Sequence, residues 1–158
     1  MKPRLIFAED REEAVALLQQ AFDGCPELKA VKMPPAEFRT LDELDALYLN
    51  LPYAERWGAK PILYKAQVLK TKTEDEGLPR YVIAGGATHP DQLKDAGYEL
   101  RQLIVSVLEA VEMFNRENPD EILVVGFLTE MAGMNRLSPN ESGRIIRDMY
   151  EYRLRAAA

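Results

Sequence analysis

The chain has 158 residues, of which 47% are hydrophobic and 29% charged, and its formal net charge is −6 at pH 7. This length and composition predict a single globular domain spanning residues 1–158, with enough apolar residues to form its own core. The acidic balance argues against a nucleic-acid partner, because phosphate binding requires a basic surface. No apolar run reaches the length of a membrane span, so we expect no membrane partner.

Cysteine and histidine are too few for metal or disulfide chemistry. The chain has one cysteine, Cys25, and one histidine, His89. It therefore cannot form an internal disulfide and offers no Cys/His metal site. Its first residues lack the apolar region and cleavage site of a signal peptide. We expect a cytoplasmic protein with no metal and no cofactor.

The first third of the chain predicts strands that alternate with helices. Strands are predicted at residues 4–8 and 28–33, and between them an apolar stripe over residues 14–22 has helical spacing. One short helical turn is predicted over residues 40–43, with Thr40 and Glu43 as its capping pair. An apolar segment at residues 45–51 predicts the third strand.

The rest of the chain predicts three further strands and two long helices. Residues 62–70 and 80–86 predict consecutive strands, and an apolar stripe over residues 100–114 predicts a helix. Residues 122–129 predict the last strand, and a helix follows residue 138. Strands interleaved with amphipathic helices require a sheet covered on both faces. The predicted fold is α/β, a three-layer α/β/α sandwich with a mixed sheet of about six strands.

A helix start with strong capping signals follows the last predicted strand. Ser138, Pro139 and Glu141 occupy the N-cap, N1 and N3 positions, which is a capping box with proline at its preferred place. A loop therefore joins a strand end to a helix N-terminus, where free backbone N–H groups and the helix dipole attract phosphate. A plain structural connection explains the pattern equally well. The candidate ligand contacts here are Gly126, Thr129, Gly133 and Asn135.

A second candidate wall of a ligand pocket follows the strand at residues 80–86. Gly85 and Gly86 would allow a backbone to approach a ligand closely, and Thr88 adds a hydroxyl. His89 is the side chain that titrates nearest neutrality, which makes it an acid–base candidate. The alternative is a turn that caps the following helix. This alternative is favoured, because no second catalytic group is spaced to orient His89.

The predicted loop at residues 53–61 carries Tyr53, Arg56 and Trp57. These side chains suit stacking on a base or sugar. They also suit anchoring a partner chain, since Tyr, Trp and Arg dominate interface hot spots. A third interpretation is a loop that folds onto its own core. The second interpretation makes a homo-oligomer one of the expected assemblies.

Short strings distributed in order along the chain match a known family. Residues 45–48, Asp-Ala-Leu-Tyr, resemble the start of that family's Asp-Ala-Ile-Val-Asn-Ala-Ala-Asn strand, and residues 81–83, Tyr-Val-Ile, resemble its Tyr-Val-Ile-His strand. Residues 124–129, with Gly133 and Ser138-Pro139, resemble its phosphate loop and last helix. The family is the macro domain, the ADP-ribose-binding fold. The resemblance implies the same α/β/α architecture and a ligand site at the C-terminal ends of the strands.

The chain departs from the macro-domain pattern at positions that belong to the family's ligand site. The family's two asparagines would fall at Leu49 and Pro52, whereas Asn50 stands one place from the first. Glu130 follows Thr129 where the family has glycine, and a glutamate opposes a diphosphate.

We therefore predict a macro-domain-like binding module for a nucleotide-type or phosphorylated small metabolite, such as a sugar phosphate, without hydrolytic chemistry. One alternative is a structural or interaction protein, homo-oligomeric, whose pocket has been lost. A second alternative is an ADP-ribose-type hydrolase acting through Asn50 or His89. Whether the protein is an enzyme stays open at this point.

Overall fold

The computed structural model describes residues 2–72, 75, 77–87 and 95–157. Its strands are β1 (Arg4–Glu9), β2 (Leu28–Lys32), β3 (Ala46–Leu49), β4 (Gln67–Lys70), β5 (Tyr81–Ala84) and β6 (Val124–Leu128). Its helices are α1 (Glu12–Ala21), α2 (Pro35–Phe38), α3 (Leu51–Ala54), α4 (Ala96–Glu117) and α5 (Pro139–Ala157), with 3₁₀ turns at Glu55–Trp57 and Met134–Arg136.

Within the described residues, the six strands form one mixed sheet in the order β2-β1-β6-β3-β5-β4. Parallel pairing joins β1 to β2 and β6, and joins β3 to β6 and β5. The edge strand β4 runs antiparallel to β5. The predicted α/β class and mixed sheet are confirmed. Because five strands are parallel, their C-terminal ends lie at one edge of the sheet.

Two hydrophobic cores lie on opposite faces of this sheet. Neighbouring residues of a strand point to opposite faces, so Phe7 belongs to one core and Ile6 to the other. The first core lies under α1, α4 and α5, and Phe127 at its centre stacks 4.7 Å from Phe7 and 5.5 Å from Tyr48. The second core lies under the short helices α2 and α3 and includes Phe38. The result is a three-layer α/β/α sandwich.

Most predicted elements are present, but three local predictions were wrong. The helical turn expected over residues 40–43 is absent, and the helix lies earlier, at Pro35–Phe38, because a proline at the first position starts a helix well. The expected loop over residues 53–61 contains the end of α3 and a 3₁₀ turn. Of the strand expected over residues 62–70, the last four residues pair as β4.

The start of α5 has the predicted cap. The Glu141 amide donates a hydrogen bond to Ser138 Oγ at 3.2 Å, and Ser138 Oγ donates to Glu141 Oε1 at 3.2 Å. The helix begins at Pro139. The capping-box signal in the sequence therefore identified the helix start to the residue.

Replacing Ser138 with alanine should destabilise the protein by about 1 kcal/mol, because the Glu141 amide loses its acceptor. Denaturant melts of wild type and Ser138→Ala measure this difference. Asn140→Ala, an exposed change inside the first turn, is the matched control and should have a smaller effect. Equal midpoints for wild type and Ser138→Ala would contradict the capping role.

No helix among residues 2–72, 77–87 and 95–157 is long and apolar enough to cross a bilayer.

Candidate functional site

A crevice opens at the edge of the sheet where neighbouring strands continue into helices on opposite faces. At the C-terminal edge, β3 leads into α3, which packs on the face of the second core, whereas β5 and β6 lead towards α4 and α5 on the other face. In parallel α/β sheets, ligands bind at the point where neighbouring strands diverge in this way. The divergence at β3 is therefore the expected position of a ligand site.

A cavity of about 390 Å³ occupies this crevice. Its walls come from the ends of β3 and β5, the N-terminal half of α4 and the loop after β6. We call it the β3–β5 cavity. Its volume lies within the range of small-molecule sites. Three predicted contacts line it: Gly85, Gly86 and Gly133.

Asn50 and Tyr48 form the β3 side of this cavity. They stand two residues apart, so their side chains lie on the same face of the extended chain, towards α4. Leu49 between them is buried in the second core. The Asn50 Oδ1 atom is buried and has no hydrogen-bond partner among the described residues. A buried, unpaired carbonyl oxygen is destabilising unless water or a ligand satisfies it.

The Tyr48 side chain is only 4% exposed. Burial, and secondarily the nearby Glu99 carboxylate, raise the pKa of its hydroxyl. The hydroxyl therefore stays protonated and can both donate and accept a hydrogen bond. Gly85 leaves room for it, because a Cβ at that position would lie 2.5 Å from the Tyr48 hydroxyl oxygen.

The β3–β5 cavity carries little net charge. Among the described residues that line it, Glu99 alone is charged, and Arg136 forms an ion pair with it. The polar groups Gln102 and Ser106 also line the wall on α4. The arrangement offers neutral hydrogen-bonding groups rather than a concentration of cations.

The loop after β6 differs from the expected phosphate cradle. The amides of Ala132, Gly133 and Met134 each donate a hydrogen bond at 3.0 Å, to the carbonyls of Leu128, Glu130 and Thr129 respectively. Gly133 adopts a positive φ of 74°, which closes this tight turn. These three amides are therefore already paired and are not free to bind a phosphate.

Thr129 and Asn135 line a different cavity, of about 270 Å³, at the ends of β1 and β6. Glu9 lies in its wall, where burial opposes ionisation but hydrogen bonds from Arg11 and Thr129 prevail and lower the pKa of the Glu9 carboxyl. Asp10 and Glu130 add further carboxylates. This surface is acidic on balance and unfavourable for a phosphate.

The remaining predicted contacts lie elsewhere. Gly126 lies within β6 and lines neither cavity. A Cβ there would lie 2.7 Å from Leu44 Cδ1 and 2.9 Å from the Phe38 ring, so this glycine admits close packing of the second core. Thr88 and His89 lie outside the described residues. The sequence interpretation missed Tyr48, although its spacing from Asn50 at a strand end was a usable signal.

The loop around Trp57 folds onto its own domain. Trp57 Nε1 donates a hydrogen bond to Asp75 Oδ2 at 2.6 Å, and Arg56 Nη2 binds Asp75 Oδ1 at 2.5 Å. The Arg56 guanidinium lies 4.4 Å from the centre of the Trp57 ring. Tyr53 is 61% exposed. Of the three interpretations of this loop, the contacts of Arg56 and Trp57 favour packing within the domain.

Comparisons with known proteins leave the chain without a family assignment. No family model matches it, and no curated protein matches it. No group of three or more His, Cys, Asp or Glu residues in the described part of the chain is arranged to hold a metal ion.

Proposed function

We propose that the protein is a binding module for a nucleotide-type small metabolite, whose base and sugar occupy the β3–β5 cavity, and that it does not hydrolyse this ligand. The observation that carries the proposal is the buried, unpaired carboxamide oxygen of Asn50, a residue that lines a nucleoside-sized cavity at the sheet's divergence point. A ligand that donates a hydrogen bond to this carboxamide oxygen would satisfy it.

The lining of the cavity suits a neutral, polar ligand. Asn50, Tyr48 and Gln102 supply hydrogen-bonding groups without charge. Ribose hydroxyls and base edges both donate and accept hydrogen bonds, and they match such groups. No cation among the described residues lines the cavity, and its one carboxylate, Glu99, is ion-paired with Arg136. A phosphate on the ligand should therefore add little affinity. Of the two ligand types predicted from the sequence, a nucleotide-type metabolite and another phosphorylated metabolite, the largely uncharged lining favours the first.

Three observations on side chains in or near the cavity support the proposed absence of hydrolysis. The raised pKa of Tyr48 makes its hydroxyl a poor nucleophile or base. The Glu99 carboxylate is held in an ion pair with Arg136. Leu49, at the position of the macro domain's first asparagine, lies in the opposite core. These observations favour binding over the chemistry that the resemblance would imply.

Titration calorimetry with adenosine and AMP tests the proposal. Wild type should bind both with similar affinity, and Asn50→Ala should weaken adenosine binding roughly 3- to 10-fold, the loss expected for one neutral hydrogen bond. Asn135→Ala, which alters the acidic cavity instead, is the matched control and should bind like wild type.

Two results would contradict the proposal. The first is no binding of either ligand to wild type. The second is a loss of affinity in Asn135→Ala but not in Asn50→Ala, which would assign the ligand to the acidic cavity. AMP binding far tighter than adenosine would require a phosphate site and would revise the ligand class.

A second candidate is an interaction protein that forms homo-oligomers. It is favoured by exposed apolar side chains near the edge strand β4: Ile62 is 41% exposed, Leu63 53% and Met113 52%. An edge strand also leaves backbone groups open to pairing. Sedimentation velocity at high protein concentration tests this candidate, and a single monomeric species would exclude it.

A further inference from the structure

Tyr64 has an unusual backbone conformation. Among the described residues it is the only non-glycine with a positive φ, at 56°. The left-handed region is unfavourable for a bulky side chain because its Cβ crowds the following carbonyl. Such strain persists where the surroundings enforce it, and it is concentrated at functional sites.

Two backbone hydrogen bonds enforce this conformation. The Tyr64 amide donates to the Ala87 carbonyl at 2.9 Å, and the Ala87 amide donates to the Ile62 carbonyl at 2.9 Å. Leu63 and Ala87 thereby form an isolated parallel bridge. The segment at residues 62–65 is thus docked against the chain that leaves β5.

Gly86, the residue before Ala87, lies against the same segment at Lys65. A Cβ at Gly86 would lie 2.4 Å from the Lys65 backbone nitrogen, so only glycine permits this approach of the two backbones. Tyr64 is therefore placed by contacts on both of its flanks. The placement does not serve burial, since 36% of the tyrosine remains exposed.

Tyr64 lines the β3–β5 cavity and also a neighbouring cavity beside α4. It meets the Tyr98 ring of α4 edge to face, with centroids 6.4 Å apart and planes at 82°. This contact orients the Tyr64 ring before any ligand binds. An oriented, partly exposed aromatic ring at a cavity wall suits stacking against a second flat ring.

We propose that Tyr64 is a specificity-determining residue whose ring stacks on the planar ring of the ligand, which selects a nucleobase over a bare sugar. This inference rests on the proposed function of the same cavity. A strained and partly exposed tyrosine is thereby explained by ligand recognition rather than by folding.

Calorimetry on Tyr64→Asn and Tyr64→Phe tests the proposal, with adenosine and ribose as probes. Asparagine tolerates the left-handed region, so Tyr64→Asn should fold with an unchanged or higher melting temperature. It should lose roughly tenfold or more of its adenosine affinity, as expected for loss of one base–aromatic stack. Tyr64→Phe keeps the ring and should retain adenosine binding. Any ribose affinity should be the same in all variants.

Tyr152→Asn is the matched control, because Tyr152 is 61% exposed on α5 and lines neither cavity. Equal adenosine affinity in wild type and Tyr64→Asn would overturn the stacking role and leave the proposed function standing. A large fall in the melting temperature of Tyr64→Asn would show a structural role and also overturn it. Wild type that binds neither probe would remove both proposals together.

Discussion

Replacing Trp57 with alanine should lower the free energy of unfolding by about 3 kcal/mol, the lower end of the range for Trp truncation, without changing the assembly state. The lower end is expected because the side chain is only partly buried against the second core. The variant also loses the hydrogen bond to Asp75 and the stacking of Arg56 on the indole ring. Denaturant melts measure the stability, and sedimentation velocity measures the assembly.

Tyr53→Ala is the matched control for Trp57, since Tyr53 lies in the adjoining helix and is 61% exposed. It should leave the denaturant midpoint nearly unchanged. A shift of Trp57→Ala towards a smaller species, with an unaltered midpoint, would instead assign the indole to an interface between copies of the chain. The hypothesis of a homo-oligomer would then gain direct support.

Asp75 should make this loop sensitive to acid. Hydrogen bonds from the Trp57 indole and then from the Lys72 amide lower the pKa of the Asp75 carboxyl from its ordinary 3.8. The ionised form is therefore stabilised in the folded state, and its contribution is complete above the ordinary pKa and disappears as the pH falls through the lower folded value. The stability difference between wild type and Asp75→Asn should shrink as the pH falls below about 4. A difference that stays constant down to pH 2 would contradict this linkage.

Replacing Gly86 with alanine should destabilise the protein by roughly 1–3 kcal/mol or more, the usual effect of overpacking. The new Cβ would meet the Lys65 backbone, which cannot move aside as a flexible side chain can. The segment at residues 62–65 should separate from Ala87. Denaturant melts and hydrogen exchange of the Tyr64 and Ala87 amides measure the two effects.

Gly97→Ala is the matched control for Gly86. Its Cβ would lie 3.3 Å from Arg101 Nη1, the far end of a flexible side chain. Gly97 also lies inside α4, where alanine is favoured over glycine. Its stability should be unchanged or higher. Full amide protection of Tyr64 in Gly86→Ala would show that the close backbone approach is not needed.

Periodic patterns predicted the strongest elements of the fold. The apolar stripe over residues 100–114 lies within α4, and the apolar runs at residues 4–8 and 122–129 contain most of β1 and all of β6. In each case the residues themselves specify which face is buried. The cap at Ser138 was predictable for the same reason, because its partners stand within three residues. Three-layer architecture followed from the order of these elements.

Elements that depend on distant partners could not be predicted so well. The sequence predicted that residues 62–65 form part of a strand. Their conformation is instead set by Gly86 and Ala87, which lie more than twenty residues later in the chain. The sequence predicted a phosphate site in the loop after β6, yet the amides of Ala132, Gly133 and Met134 are already hydrogen-bonded. Its side chains also divide between two cavities, because β6 lies between β1 and β3.

The sequence by itself thus determined the α/β class, the element order and the edge of the sheet where Gly85, Gly86 and Gly133 would meet. These depend on local periodicity and on the rule that parallel strands end at one edge. Only the tertiary structure decided that Tyr48, Asn50 and Tyr64 form the walls of one cavity. Their convergence depends on strand order, on the direction of each side chain and on one close backbone approach, and none of these is encoded by neighbouring residues.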